Sequence, residues 1–231
     1  MITQKRVVSL IARSTEIVCA LGFESLLVGR SHECDYPESV KKLPIVSHPK
    51  MRVDTSSIQI DRDLKKILEM GLSIYEVDAE MLKKLAPDLI ITQVQCEVCA
   101  VTFDDVKRAL ADCVGYDRAQ IVSLAPFFLE DIWKDILRVA DALDARARGE
   151  VLVASLQLRM QVIEERAQKV LAEKALLAPD MGGVSPPRVV CLEWIEPLMA
   201  GCNWRPDLTR MAGGGSIFGE SGKHLPYVMD W

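Results

Sequence analysis

Residues 150–178 read EVLVASLQLRMQVIEERAQKVLAEKALLA, a stretch without proline or glycine. Its apolar residues recur at steps of three and four, which is the spacing of one face of an α-helix: Leu152, Leu156, Met160, Ile163, Ala167 and Val170. At 1.5 Å per residue, the stretch predicts a single helix of about 44 Å.

Two interpretations fit this helix. The periodicity alone is satisfied by a surface helix that covers one side of a sheet. The position of the helix favours a different arrangement, because strands alternate with helices before it and a new strand pattern follows it at residues 188–194. We therefore expect a stiff connecting helix between two α/β segments.

The composition bounds the class of protein. The chain has 231 residues, of which 49% are hydrophobic and 26% are charged, so it can bury a core as one large domain or two small ones. The formal net charge of -5 comes without a basic block, which argues against nucleic acid as a partner. No apolar run approaches the roughly 18 residues of a membrane helix, and no signal-peptide core precedes Arg6. As written, the sequence predicts a cytoplasmic location, or a periplasmic one if the true N-terminus lies upstream.

The chain before the long helix alternates between strand and helix patterns. Strands are predicted at residues 6–12, 26–29, 72–77, 88–92 and 120–124. Helices are predicted from Ser14 or Thr15 as the cap to Gly22, and then at residues 60–70, 79–85 with Asp78 as the cap, 102–113, and 129–143. A brief helix is expected from Pro37 to Leu43, and residues 44–58 are predicted as loop. This alternation predicts a mostly parallel, Rossmann-like sheet.

In a parallel sheet, ligands bind beyond the carboxyl ends of the strands, where the loops converge. The loops predicted at that edge bring several polar side chains together: His32, Glu33, Cys34, Asp35, Gln93, Cys96 and Cys99. The Cys96-x-x-Cys99 pair has the spacing of a zinc knuckle or a redox pair, and His32 with Cys34 would complete a soft metal site. Thiols packed beneath a loop are the alternative. The seven cysteines in total are an odd, scattered set that predicts reduced thiols.

Catalysis has little support in the residues. The chain contains no Gly-x-Ser-x-Gly elbow, no glycine loop that would cradle a phosphate, and only three histidines. After the long helix, a strand at residues 188–194 and a helix at 206–212 are predicted, with Trp194 and Trp204 on either side of a loop that contains Pro197 and Gly201. Two such aromatic residues suit a flat, largely apolar ligand, or else they belong to the core.

Several blocks of this sequence resemble the vitamin B12-binding proteins, which are helical-backbone substrate-binding proteins of ABC importers in a wider group that also binds iron chelates. The similar blocks are Val7-Val-Ser-Leu with Ser14-Thr-Glu16, GRSHECDYP at 29–37, TQVQCEVCAV at 92–101 and LEWIEPL at 192–198. The resemblance runs from about Arg6 to Trp231.

The resemblance implies two α/β lobes joined by one rigid backbone helix, with the corrinoid in the cleft between them. The expected divisions are an N-terminal lobe at 1–127, connecting helices at 128–187 and a C-terminal lobe at 188–231. Carried over by position, the ligand-binding residues are Ser14, His32, Glu33, Asp35, Tyr36, Gln93, Cys96, Trp194, Glu196, Asn203 and Trp204. His32 is expected to approach the cobalt, and His32, Cys96 and Cys99 form a candidate metal set.

The function implied by the resemblance is non-catalytic binding of cobalamin or a related corrinoid or metal chelate, with an ABC importer permease as a partner. A metal-binding or redox-active cytosolic protein that uses Cys34, Cys96, Cys99 and His32 is the alternative. Two features depart from the family. The sequence shows no signal peptide, and only 44 residues follow Pro187, so the second lobe is expected to be incomplete.

Overall fold

The structure is a computed structural model that describes residues 5–70, 73–94, 105–107, 109, 119–177, 185–223 and 227–228. It divides the chain into two compact units. The first unit comprises Met1–Ala125 with Lys134–Glu150, and the second comprises Pro126–Trp133 with Val151–Trp231. Within the described residues, no helix is long and apolar enough to cross a membrane.

A six-stranded, mainly parallel sheet forms the centre of the first unit. Its strands are β1 (Val7–Ser9), β2 (Leu27–Ser31), β3 (Ile45–Pro49), β4 (Tyr75–Val77), β5 (Leu89–Gln93) and β6 (Gln120–Leu124). Their order is β4-β3-β2-β1-β5-β6, and only the β3–β4 pair is antiparallel. The short β-branched runs in β1 and β5 suit such a sheet, since strands buried on both faces read as continuous apolar segments. The predicted parallel α/β architecture is confirmed.

The helices of the first unit lie close to their predicted positions. They are α1 (Ala12–Ala20), α2 (Ser57–Glu69) and α3 (Ala79–Leu85), and α4 (Leu129–Ala142) runs from the second unit into the first. A short 3₁₀ helix covers Glu24–Leu26, and a second at Glu38–Lys42 follows Pro37 as predicted. Asp78 caps α3 as predicted, because its Oδ1 accepts a hydrogen bond from the Met81 amide at 2.8 Å. The predicted helix at 102–113 lies largely outside the described residues.

Three local predictions are wrong. Residues 44–58 contain β3 rather than only loop, since Pro44 and Pro49 bracket the strand instead of interrupting it. Helix α1 begins at Ala12 without a side-chain cap, because Ile11 occupies the cap position, and Ser14 and Thr15 lie inside the helix with hydroxyls that bond to Ser9. The single strand expected at residues 188–194 is two short strands that belong to different sheets.

Residues 150–177 lie in one unbroken helix, α5 (Arg146–Leu177), as predicted. The expected apolar face is only partly covered. Leu152, Leu156, Met160 and Ala167 are half-buried, whereas Ile163 and Val170 are exposed. Periodicity therefore predicted the helix correctly, but two of the six residues of the predicted apolar face are exposed to solvent.

The second unit contains short strands and one further helix. The strands are β7 (Arg188–Val189), β8 (Leu192–Trp194), β9 (Met199–Ala200), β10 (Gly215–Ser216) and β11 (Tyr227–Val228), and the helix is α6 (Arg205–Met211). Strands β7 and β10 form a parallel pair, and β11-β9-β8 form an antiparallel sheet. The division of the chain at residues 127 and 187 stays a prediction.

Candidate functional site

The strand order of the first unit creates a switch point beside β1. The chain passes from β1 to β2 on one side, and β5 and β6 lie on the other. In open α/β sheets, ligands bind beyond the carboxyl ends of the strands at such a switch point. Gln93 ends β5 at this edge and is only 3% exposed. The carboxyl ends of β2 and β5 thus lie at the same edge of the sheet, about 10 Å apart across two strand spacings. The residues that follow Val94 lie outside the described part of the chain, so the convergence of the two loops stays a prediction.

His32 follows β2 at this edge and is held on two sides. Its Nδ1 lies 3.2 Å from the Ser47 hydroxyl on β3, and its ring centroid lies 5.4 Å from that of Tyr75 on β4. Burial lowers the pKa of His32 below its ordinary value, and a hydrogen bond to the Ser47 backbone opposes that shift. The imidazole is therefore neutral at pH 7, which is the form that coordinates a metal or accepts a hydrogen bond.

The neighbours of His32 differ in exposure. Tyr75 is buried, and burial raises its pKa to about 12, so it remains a neutral phenol. Desolvation raises the pKa of Glu33 above its ordinary value. Asp35 and Tyr36 are exposed, and Tyr36 is 67% exposed. The loop thus presents an aromatic face and carboxyl groups to solvent.

A chain of buried hydroxyls lies beneath the loop. Ser9 Oγ lies 2.6 Å from Ser14 Oγ, and the Thr15 hydroxyl contacts both Ser9 Oγ at 2.7 Å and Cys34 Sγ at 3.0 Å. Ser14 and Cys34 have no exposed surface. These groups tie the loop after β2 to the start of α1, and ligand contact by Ser14 stays a prediction.

The proposed metal and redox set is only partly described. Cys34 is a free, fully buried thiol, while Cys96 and Cys99 lie outside the described residues. In the part of the chain that the structure describes, no cluster of three or more His, Cys, Asp or Glu side chains is placed to hold a metal ion. A metal set that includes Cys96 and Cys99 stays a prediction.

The predicted residues of the second unit cluster around the loops beside β8, β9 and α6. The Trp194 Nε1 donates to the Glu196 carbonyl at 2.9 Å, and Glu196 is exposed. Asn203 has a left-handed backbone with φ of 56°, and within the described residues its buried Oδ1 has no hydrogen-bond partner. Trp204 is half-buried and precedes α6. Asn203 therefore offers an unsatisfied acceptor in the segment that also carries Trp204.

The sequence patterns did not single out Arg30. It is the fourth residue of β2, it is 9% exposed, and it donates hydrogen bonds to the loop that carries His32. The available signal was a cation at the end of an otherwise apolar strand pattern.

Comparison with known proteins identifies the fold. Neither a family model nor a curated protein matches the chain. Among solved structures, the chain is similar to the apo periplasmic heme-binding protein RhuT from Roseiflexus sp. RS-1, with 22% identity, a TM-score of 0.61, and coverage of 92% of this chain and 65% of that one. It is also similar to the periplasmic vitamin B12 binding protein BtuF of Vibrio cholerae, with 18% identity, a TM-score of 0.61, and coverage of 96% and 69%.

A periplasmic heme-binding protein from Pseudomonas aeruginosa gives 20% identity, a TM-score of 0.61, and coverage of 94% of this chain and 64% of that one. The chain thus spans about two thirds of the length of these proteins. It has the fold of periplasmic heme- and B12-binding proteins, as the resemblance implied.

Proposed function

We propose that this chain is a non-catalytic binding protein for a flat, metal-containing macrocycle, namely cobalamin or a related corrinoid or metal chelate such as heme. The observation that carries the proposal is the placement of His32 and Gln93 at the carboxyl edge of the first sheet, on either side of β1 at the switch point. Crevices of this kind bind ligands in open α/β sheets.

The side chains at the edge match the chemistry of such a ligand. A neutral imidazole suits an axial position on a metal, and the exposed Tyr36 ring suits an apolar face. The Gln93 amide suits the amide or carboxylate rim, because a side-chain amide can both donate and accept hydrogen bonds. Contributions from Trp194, Glu196, Asn203 and Trp204 are part of the proposal.

Titration of the purified, reduced protein tests this function. The ligands are aquocobalamin, cyanocobalamin and hemin, and the readouts are their visible absorption bands and the tryptophan fluorescence. We expect saturable binding of at least one ligand. If His32 coordinates cobalt, aquocobalamin shifts its bands, whereas cyanocobalamin shifts them less because cyanide already occupies an axial position.

Two matched variants identify the imidazole involved. His32→Ala is expected to weaken binding and to remove the band shift. His48→Ala removes an exposed imidazole from the neighbouring strand β3 and is expected to leave binding unchanged. Absence of binding for all three ligands, with the fold intact by circular dichroism, would sink the proposed function.

We also propose an ABC importer permease as the partner and a periplasmic location, because the similar solved structures are named as periplasmic binding proteins. Fractionation of cells that express the native gene, with immunodetection of the protein, tests the location. Recovery of the protein only with the cytosol would refute the periplasmic proposal.

A further inference from the structure

Arg30 stands beneath the loop that carries His32. Its Nη1 donates to the carbonyl oxygens of Ser31 at 3.0 Å and Cys34 at 3.1 Å, and its Nη2 donates to the carbonyl of Lys41 at 3.3 Å. These three carbonyls lie at the end of β2, in the loop that follows it, and in the 3₁₀ helix after the loop. One planar group therefore joins three separate points of residues 31–42.

The charge of Arg30 has an unusual set of partners. Among the described residues, no acidic side chain forms an ion pair with it, and its Nε is buried without a hydrogen-bond partner. Burial of a cation is unfavourable unless hydrogen bonds replace its hydration. Here backbone carbonyls take that role. An apolar side chain would fill the same volume without this cost, so a simple packing role does not explain an arginine at this position.

The loop has a second attachment near its midpoint. The Cys34 Sγ accepts a hydrogen bond from the Thr15 hydroxyl at 3.0 Å, while the Cys34 carbonyl accepts one from Arg30. Cys34 is thus fixed through both its side chain and its backbone, and His32 lies only two residues before it. The position of the imidazole depends on this fixed backbone.

We propose that Arg30 is a positioning residue of the binding site: its guanidinium holds residues 31–42 in the shape that presents His32 to the ligand. The identity of the ligand in this inference rests on the proposed function. The effect of Arg30 on residues 31–42 rests on the geometry alone. A lysine cannot replace the guanidinium, because an ammonium is a single point of charge and lacks the planar fork that reaches carbonyls on both sides.

The test uses Arg30→Lys and Arg30→Met, with Arg6→Met as the matched control. Arg6 also donates to a backbone carbonyl, from Nε to Leu85 at 2.7 Å, but it precedes β1 and so lies at the opposite edge of the sheet. Both Arg30 variants are expected to bind the macrocycle about tenfold more weakly or worse, a change of roughly 1.4 kcal/mol. Arg6→Met is expected to bind like the unmodified chain.

Amide hydrogen exchange of the ligand-free protein gives a second, independent readout. The amides of Cys34, Val40 and Leu43 bond within residues 31–43. We expect them to exchange faster in both Arg30 variants, while amides of β5 and β6 keep their rates. A uniform rise across the sheet would indicate a general loss of stability and would overturn the positioning role.

The two readouts separate the two proposals. If no macrocycle binds the unmodified chain, the proposed function fails, and the exchange rates still decide whether Arg30 holds the loop. If Arg30→Met does not fold, Arg30→Lys decides, since it keeps the charge and most of the length. Unmodified affinity and exchange in Arg30→Lys would overturn the inference.

Discussion

Strands in the two units of this chain have opposite environments. Val8 in β1 and Ile90 in β5 have no exposed surface, whereas Leu192 in β8 is 57% exposed and Ile195, just after it, is 74% exposed. The first unit has six strands in one sheet, while β7 and β10 pair over only two residues each. A short, narrow sheet cannot cover its own apolar side chains. We infer that a buried core stabilises the first unit and that local contacts stabilise the described part of the second.

The largest expected contrast comes from the same substitution in both units. Ile90→Ala removes a completely buried side chain and is expected to lower the free energy of unfolding by about 2–5 kcal/mol. Ile195→Ala removes an exposed one and is expected to change it by less than about 0.5 kcal/mol. Urea unfolding provides the measurement. All four tryptophans belong to the second unit, so fluorescence follows that unit and far-UV circular dichroism follows the whole chain. Equal losses for the two variants would contradict the comparison.

Ion pairs give the next contrast. Asp135 in α4 is 2% exposed and lies 2.8 Å from Arg138 Nη1 and 3.8 Å from Arg13 Nη2. Burial lowers the pKa of Arg13, and the charge of Asp135 opposes that shift. Asp135→Asn is therefore expected to cost roughly 1.5–3 kcal/mol, because the largely buried Arg13 loses its anionic partner, whereas the half-exposed Arg138 keeps contact with water.

The matched change in the second unit is Glu193→Gln. Glu193 pairs with Arg205 at 3.1 Å, with both side chains about a third exposed. Its loss is expected to cost less than about 1 kcal/mol and to disappear in 1 M salt. The measurement is urea unfolding at low and high salt. If the loss of stability in Asp135→Asn depends on salt and that in Glu193→Gln does not, Asp135 forms the surface ion pair and Glu193 the buried one, contrary to this comparison.

The same contrast explains which predictions from sequence succeeded. The buried strand at Leu89–Gln93 and the capped helix at Ala79–Leu85 follow from local pattern, and both were located to within a residue or two. Strand β3 was missed because His48 and the flanking prolines obscure its pattern, and its position depends on pairing with β2 and β4. The split at residues 188–194 was missed for the same reason, since only long-range pairing assigns β7 and β8 to different sheets.

The candidate site shows a similar division. The rule for parallel sheets predicts from sequence that His32 and Gln93 lie at one edge, because each is at the carboxyl end of a parallel strand. The support beneath that edge was not foreseeable, because Arg30 acts through backbone carbonyls that carry no sequence signal. The burial of Cys34 against Thr15 likewise depends on the fold of the loop.

Two glycines, one in each unit, differ in the space available for a side chain. A Cβ on Gly29 in β2 would lie 2.7 Å from Leu85 Cδ1 and 2.8 Å from Val46 Cγ2, whereas one on Gly215 in β10 would meet no atom closer than 3.9 Å. Gly29→Ala is expected to cost about 1–3 kcal/mol through overpacking. Gly215→Ala is expected to be neutral or slightly stabilising, because alanine restricts the unfolded chain. Destabilisation by Gly215→Ala as large as that by Gly29→Ala would show that β10 is packed as tightly as β2.

The smallest expected contrast concerns two helix N-termini. Asp78 accepts the Met81 amide at the start of α3, and Asp78→Ala is expected to cost about 1 kcal/mol in urea unfolding. Asp207 lies in the first turn of α6 and pairs with Arg210 at 3.2 Å, so Asp207→Ala removes only a helix-dipole contact and a surface ion pair, worth roughly 0.5 kcal/mol. Asp78→Asn separates the two effects, because asparagine keeps the capping acceptor without the charge. If Asp78→Asn lowers the free energy of unfolding as much as Asp78→Ala, the charge of Asp78 rather than its capping hydrogen bond stabilises α3. The N-termini of α3 and α6 would then be stabilised by the same electrostatic effect.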